Sequence, residues 1–150
     1  MEPARRLPRD PLSRAVVFAT FECSLCNGTA ASVWLAPRGT SEPDRGSGTH
    51  PLADAPYARI GVEAGQLSVT IGGQVVDHAL QAILTALEKG DPAALYAADL
   101  EFAPFWCPDC QASYCGRHWQ VWPVFDPEDP AWFEEQRGTC PLGHERMLLD

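Results

Sequence analysis

The chain has 150 residues, 45% apolar and 21% charged, which suits one globular domain with room for an inserted lobe and excludes a disordered or fibrous class. Twenty Asp and Glu against eleven Lys and Arg give a net charge of −9, a balance that argues against a nucleic-acid partner because phosphates repel such a surface. The longest apolar run, Ala15–Ala19, is far short of a membrane span, and the Arg-rich start has no apolar block of the kind a secretory leader needs. No membrane association and a cytoplasmic location are therefore expected.

In chain order, residues 1–13 are rich in Pro and Arg without periodicity and are expected to form a flexible tail. Arg14–Glu22 is β-branched and aromatic and predicts a strand that delivers Cys23 at its end. Cys23–Gly28 predicts a turn, with Asn27-Gly28 supplying the positive φ of a metal knuckle, and Ala31–Ala36 the returning strand. Residues 37–56 hold four prolines and three glycines and are expected to be a loop, with His50 solvated in it. Two short strands follow, Tyr57–Val62 and Gln66–Ile71, joined by a turn at Glu63-Ala64-Gly65.

Leu80, Ile83, Leu84 and Leu87 recur at helical spacing and predict a helix over His78–Lys89, capped by Asp77 and ended by Gly90. Asp91-Pro92 predicts a second start, with a helix over Ala93–Ala98. Residues 57–100 thus read as a small α/β lobe carrying no cofactor motif. Beyond it, Trp119–Trp122 predicts a strand, Ala131–Arg137 a short helix after Asp129-Pro130, and Glu145–Asp150 a terminal helical turn. The acids Asp126, Glu128, Asp129, Glu134 and Glu135 are expected to form a solvated face, with a meeting surface for a basic partner as the alternative.

The chemistry lies in the cysteines. All six, with two of the four histidines, fall into four tight pairs: Cys23 with Cys26, Cys107 with Cys110, Cys115 with His118, and Cys140 with His144. A spacing of two or three residues lets both side chains of a pair reach one metal, so four pairs supply eight ligands for two tetrahedral zinc ions. Thiolates select zinc over calcium or magnesium. With four protein ligands each, such sites leave no position for water or substrate, so the metals are expected to be structural and no catalytic side chain is expected.

Three rivals fit less well. A disulfide framework leaves the histidines at ligand spacing unexplained and expects an export signal. Trp106-Cys107-Pro108-Asp109-Cys110 resembles a thioredoxin active site, but no βαβ unit has room beside it. A zinc deaminase needs a His-x-Glu with Pro-Cys-x-x-Cys, which this chain lacks.

Four pairs can share two metals in tandem, nested or crossed fashion, and spacing does not choose among the three. Closing the 80 residues between Cys26 and Cys107 costs on the order of 4 kcal/mol of chain entropy, well below the roughly 10–16 kcal/mol of apparent binding a structural zinc supplies. The long closure is therefore allowed.

The order Cys-x-x-Cys, then Cys-x-x-Cys-x-x-x-x-Cys-x-x-His, then Cys-Pro-x-Gly-His, over residues 22–27 and 102–148, resembles the cross-brace zinc fingers, chiefly the RING family. It is also similar to the small fingers of stress-associated proteins. The resemblance implies that Cys23, Cys26, Cys115 and His118 share one zinc, and Cys107, Cys110, Cys140 and His144 the other. It implies an α+β fold in which residues 14–36 and 101–150 form a two-zinc treble-clef or cross-brace module around the inserted 57–100 lobe. It further implies a protein-interaction module, in the RING manner an adaptor holding a ubiquitin-conjugating enzyme, with Leu25, Trp122, Trp132, Pro141 and Arg146 as the contact residues. The chain departs from the family in its 80-residue gap, in having His118 in sixth place and a final histidine, and in Glu145 standing before Arg146. The alternative is a zinc-stabilised scaffold with no ubiquitin-like chemistry.

Overall fold

The computed structural model describes residues 16–39 and 56–150. The expected tail at 1–13 and most of the expected loop at 37–56, His50 included, lie outside the described residues. Four antiparallel strands form an up-and-down sheet in the order β1 (Val17–Glu22), β2 (Thr29–Ala36), β3 (Arg59–Glu63) and β4 (Val69–Gly72). The first hairpin and the strands of the middle segment therefore belong to one sheet, with β2 bonded to both. β1 alternates along its length, Phe21 buried between exposed Thr20 and Glu22, as a strand with one face in water must. β2 lies inside the sheet and buries six of its eight residues.

The register sets Trp34 opposite Gly61, and this pairing is steric: a Cβ at Gly61 would lie 2.0 Å from the Trp34 ring. The expected strand at Gln66–Ile71 is shorter, because Gly65–Leu67 winds into a 3-10 turn with Ser68 accepting from the Ala64 N–H before β4 begins at Val69.

Helix α1 (Gln74–Lys89) packs on this sheet and helix α2 (Pro92–Ala98) packs on α1. α1 starts one turn earlier than expected. Gly73 stands at its N-cap, and Asp77, expected as the cap, instead accepts from the Ala58 N–H at 3.0 Å and pairs with Arg38 at 3.5 Å. Ile83, Leu84 and Leu87 are buried as the periodicity predicts, joined by Val76 and Ala86, and Gly90 ends the helix in the left-handed conformation. Asp91 caps α2 through its side chain.

Two small antiparallel sheets complete the fold. β5 (Trp106–Cys107) pairs with β6 (Ala112–Ser113), and β7 (Gln120–Phe125), β8 (Phe133–Thr139) and β9 (Glu145–Leu149) form a three-stranded meander. Two expectations are corrected here. Residues 131–137 are not a helix, and 145–150 are not a helical turn: both stretches lie in strands of this meander. Asp129 still nucleates a turn after Pro130, accepting from the Ala131 N–H, but Phe133 onward pairs with β7 because Gly138 meets Val121 and leaves room for Leu148. A Cβ at Gly138 would sit 2.6 Å from the Leu148 side chain, itself fully buried. The result is an α+β architecture of two helices and nine strands among the described residues. One core runs from Ile83 and Leu87 through Phe102 and Phe105, whose ring lies 5.1 Å from that of Phe21, to the cysteines.

Candidate metal centre

All six cysteines are free thiols, and they meet in space as two clusters of three cysteines and one histidine. Cys23, Cys26, Cys115 and His118 form the first cluster, and Cys107, Cys110, Cys140 and His144 the second, the ligand atoms of each lying within 4.8 Å of one another. Pair one thus joins pair three, and pair two joins pair four. The tandem and nested arrangements that spacing left open do not occur.

The local chain explains how each pair is delivered. At the end of β1 the Cys23 N–H donates to the Gly28 carbonyl at 2.7 Å and the Asn27 N–H to the Cys23 carbonyl at 3.0 Å, closing a knuckle around both thiols. Asn27, rather than Gly28, takes the left-handed conformation, with φ 58°. The second knuckle repeats this: Gln111 stands one position after Cys110, as Asn27 stands after Cys26, and has φ 49°. There the Cys110 N–H donates to the Cys107 sulfur at 3.4 Å. The turn between β8 and β9 brings the last pair together, with the His144 N–H donating to the Cys140 sulfur and the Cys140 N–H to the His144 carbonyl. Ser24 donates its N–H to the Ser113 carbonyl at 2.9 Å, fastening the first knuckle to β6. The stretch 107–118 therefore gives two ligands to each cluster.

The distances fit a tetrahedral ion. Cys26 and Cys115 sulfurs are 4.0 Å apart and Cys110 and Cys140 sulfurs 3.8 Å, too far for disulfides and close to the edge of about 3.8 Å that Zn–S bonds of about 2.3 Å dictate. His118 Nδ1 lies 3.3 Å from Cys23 Sγ and 3.1 Å from Cys115 Sγ. His144 Nδ1 lies 3.2 Å from Cys110 Sγ and 3.3 Å from Cys140 Sγ. Both imidazoles thus face their cluster through Nδ1, a detail that no spacing rule contains. Such atoms can hold a metal with four protein ligands each.

Electrostatics distinguish the clusters. Burial resists ionisation of Cys23, but the backbone N–H groups of Cys115, Cys26 and Leu25 outweigh it and hold the thiol down to about 6. Cys140 is held at about 7 in the same manner, against burial, by the N–H groups of His144 and Leu142. Burial pushes Cys107 up to about 11. Tyr114, fully inside the fold, is pushed above the usual phenol range, first by the Cys110 side chain and then by burial. Three thiolates and a neutral imidazole around a dication leave one negative charge, and each cluster has a guanidinium near it. Arg117 Nη2 lies 3.8 Å from Cys26 Sγ, and the Cys115 and Cys26 thiols hold the Arg117 charge in place. Arg146 feels Cys107 from inside the fold.

The expected contact residues sit on different elements. Leu25 is 53% exposed between the first two ligands, and Pro141 and Leu142 are exposed between the last two. Trp132 is exposed and Trp122 half-buried, both on the β7–β8 hairpin. Arg146 turns inward: its guanidinium donates to the carbonyls of Leu100 and Ala103 at 3.1 Å, of Met147 at 2.9 Å and of Trp106, and lies 4.9 Å from the centre of the Tyr96 ring. The sequence offered no sign of that role. Nor did it show a cleft of about 460 Å³ beside the first cluster, between Ala30, Ala64, Gln66, Cys115, Gly116 and Arg117, where Gln66 Nε2 bonds the Gly116 and Trp119 carbonyls. His78 is exposed, away from either cluster.

Fold and clusters together define an α+β protein with two Cys3His sites able to hold metal, which is the form of a zinc-binding module. Residues 13–150 match the family described as Domain of unknown function (DUF8328), and the chain belongs to that family. No curated protein and no solved structure matches it. No described helix is long and apolar enough to cross a membrane.

Proposed function

We propose that this is a module built on two structural zinc ions whose work is to bind another protein. The observation that carries this reading is the crossed sharing of eight ligands, which links residue 23 to residue 118 and residue 107 to residue 144 in two closed four-ligand sites. A closed site has no position for a reacting water, so its contribution is shape. Free thiols engaged as ligands fit a reducing compartment, and the cytoplasm is the location this reading assigns. The net charge of −9 favours proteins over nucleic acids as partners. Native mass spectrometry tests the metals: two zinc ions per chain are expected, one after Cys26→Ser and one after Cys110→Ser. A wild-type chain that carries no metal and stays folded in excess chelator overturns the proposal.

A second reading, the adaptor for a ubiquitin-conjugating enzyme, is favoured by one feature. Leu25 stands exposed between the first two ligands, where the RING family touches that enzyme. Arg146 does not support it, since its donors are engaged within the fold. A discharge assay with conjugating enzymes decides: equal rates with wild type and Leu25→Ala remove the adaptor reading and leave the zinc-stabilised scaffold.

A further inference from the structure

The end of the β7–β8 hairpin is unlike the rest of the surface. Phe125 is 46% exposed, Trp132 65% and Phe133 46%, three of the seven large apolar side chains exposed among the described residues. Phe125 and Phe133 are register partners with ring centres 6.2 Å apart, and the Trp132 carbonyl accepts from the Asp126 N–H at 3.0 Å, so the three aromatics crowd two neighbouring rungs. The turn beyond them is fixed. Asp126 accepts from the Glu128 N–H at 2.8 Å, Asp129 from the Ala131 N–H at 3.3 Å, and the Trp132 N–H donates to the Asp129 carbonyl at 2.8 Å. Pro127 and Pro130 stiffen it further. An aromatic surface already held in shape loses little entropy on binding.

Charge says what suits it. Asp126, Glu128, Asp129, Glu134 and Glu135 flank the aromatics along the chain, and the sequence from Trp119 to Gln136 has no Lys or Arg. Arg137, paired with Glu135 at 3.4 Å and Glu145 at 3.1 Å, is the cation that follows, so five carboxylates stand against one guanidinium. A second copy would bring the same five acids face to face, and a nucleic acid or an anionic membrane would be repelled. A basic polypeptide is attracted. Its long Lys or Arg stems lie along apolar rings while their heads reach carboxylates, and its apolar residues cover the aromatic area.

We propose that this hairpin end is a docking surface for a segment of a partner protein in which Lys or Arg alternates with apolar residues. The inference rests on the reading of the chain as an interaction module and specifies the partner's chemistry.

The test uses the full zinc-loaded chain and a fluorescent synthetic peptide of alternating Arg and Leu, followed by anisotropy. Saturable binding is expected, weakened about tenfold or more by Trp132→Ser with Phe133→Ser, and to a similar degree by Glu128→Gln with Glu134→Gln. All four positions are exposed, so the variants should keep both metals, and metal content is measured on each. Peptide affinity unchanged by the aromatic substitutions, or equal binding of an alternating Glu and Leu peptide, overturns the docking surface. So does a wild-type dimer in sedimentation that Trp132→Ser makes monomeric, since the surface would then serve a second copy. Loss of peptide binding with two metals retained is the expected outcome for the aromatic variant; absence of metal from the wild type would sink the module reading instead.

Discussion

Cys26 and Cys115 are 89 positions apart in the chain, yet their sulfurs lie 4.0 Å from each other. Between them run five strands and both helices of the described structure, so the pair fastens the N-terminal hairpin to the C-terminal third. The core also reaches this cluster, since Cys23 and Cys115 are buried among its members. Metal and hydrophobic packing therefore act on the same junction.

The first prediction follows. Removing the metal should cost a large share of the roughly 10–16 kcal/mol of apparent binding that a structural site contributes, against the few that a small domain holds in reserve. Chelation at neutral pH is expected to unfold the chain cooperatively, and Cys26→Ser to lower stability by more than the roughly 3 kcal/mol of an ordinary severe point mutation. Circular dichroism against chelator concentration, and denaturant unfolding of the variant, measure both. A Cys26→Ser chain as stable as wild type would show that this cluster does not hold the fold together.

The second concerns pH. Cys23, held near 6, is mostly thiolate at neutral pH, and Cys140, near 7, about half so, whereas Cys107, raised to about 11, keeps its proton until metal displaces it. A depressed thiol favours the bound state down to its lowered value; a raised thiol makes the proton a strong competitor well above neutrality. As the solution is acidified from about pH 8 to about pH 5, the Cys107 cluster should release its metal before the Cys23 cluster. Native mass spectrometry of variants that each keep one intact cluster reads the two release curves, and the opposite order would refute the assignment.

Much of this site could be read from residue spacing, and the reason is physical. Two ligands separated by two or three residues are fixed by the short reach of one turn, so all eight cluster residues were legible. Which pairs meet is a long-range matter that spacing leaves open; only the ligand order, through its resemblance to cross-brace fingers, anticipated it. The helices α1 and α2 were legible from periodicity and from Gly90 and Asp91. The strands β8 and β9 were not. Phe133-Glu134-Glu135-Gln136-Arg137 has helical propensity and no alternation of buried and exposed positions, and it is a strand because Val121–Val124 and Arg146–Leu149 on either side supply its hydrogen bonds. The inward bonds of Arg146 were not legible for a related reason. A charged residue near a knuckle looks like surface until the carbonyls at the end of the Leu100–Phe102 turn are brought against it.

The third prediction tests the central sheet. Gly61 lies beneath the Trp34 indole, where an added methyl would come within 2.2 Å of three ring atoms. Trp34 is only 2% exposed and has no free direction in which to retreat. Gly61→Ala is expected to cost about 3 kcal/mol, at the upper end for overpacking. Near-ultraviolet circular dichroism, which senses the indole, should change with it. A stable variant with an unaltered tryptophan signal would mean that the ring moves aside at little cost.

The last prediction isolates Arg146. Its side chain crosses from β9 to the chain entering the second knuckle, where its guanidinium donates to the Leu100, Ala103 and Trp106 carbonyls, the first two of which also accept from the Ala103 and Trp106 N–H groups. Burial pushes its pKa down, opposed by the Tyr96 ring and Cys107, but an arginine keeps its charge throughout the range in which the protein is studied. Arg146→Met fills the space but removes the guanidinium's bonds to these carbonyls, and a hydrogen bond to a charged group is worth about 1.5–3 kcal/mol, so a loss of about 3–5 kcal/mol is expected. Arg146→Lys keeps the charge with three donors on one nitrogen, which cannot span carbonyls on both sides of a planar fork, and should recover less than half of the loss. Because Arg146 also offsets the charge of the second cluster, Arg146→Met should speed zinc loss to a chromogenic chelator while leaving release from the first cluster unchanged. If the Met variant unfolds at the wild-type denaturant midpoint and exchanges metal at the wild-type rate, the guanidinium holds neither the turn nor the cluster.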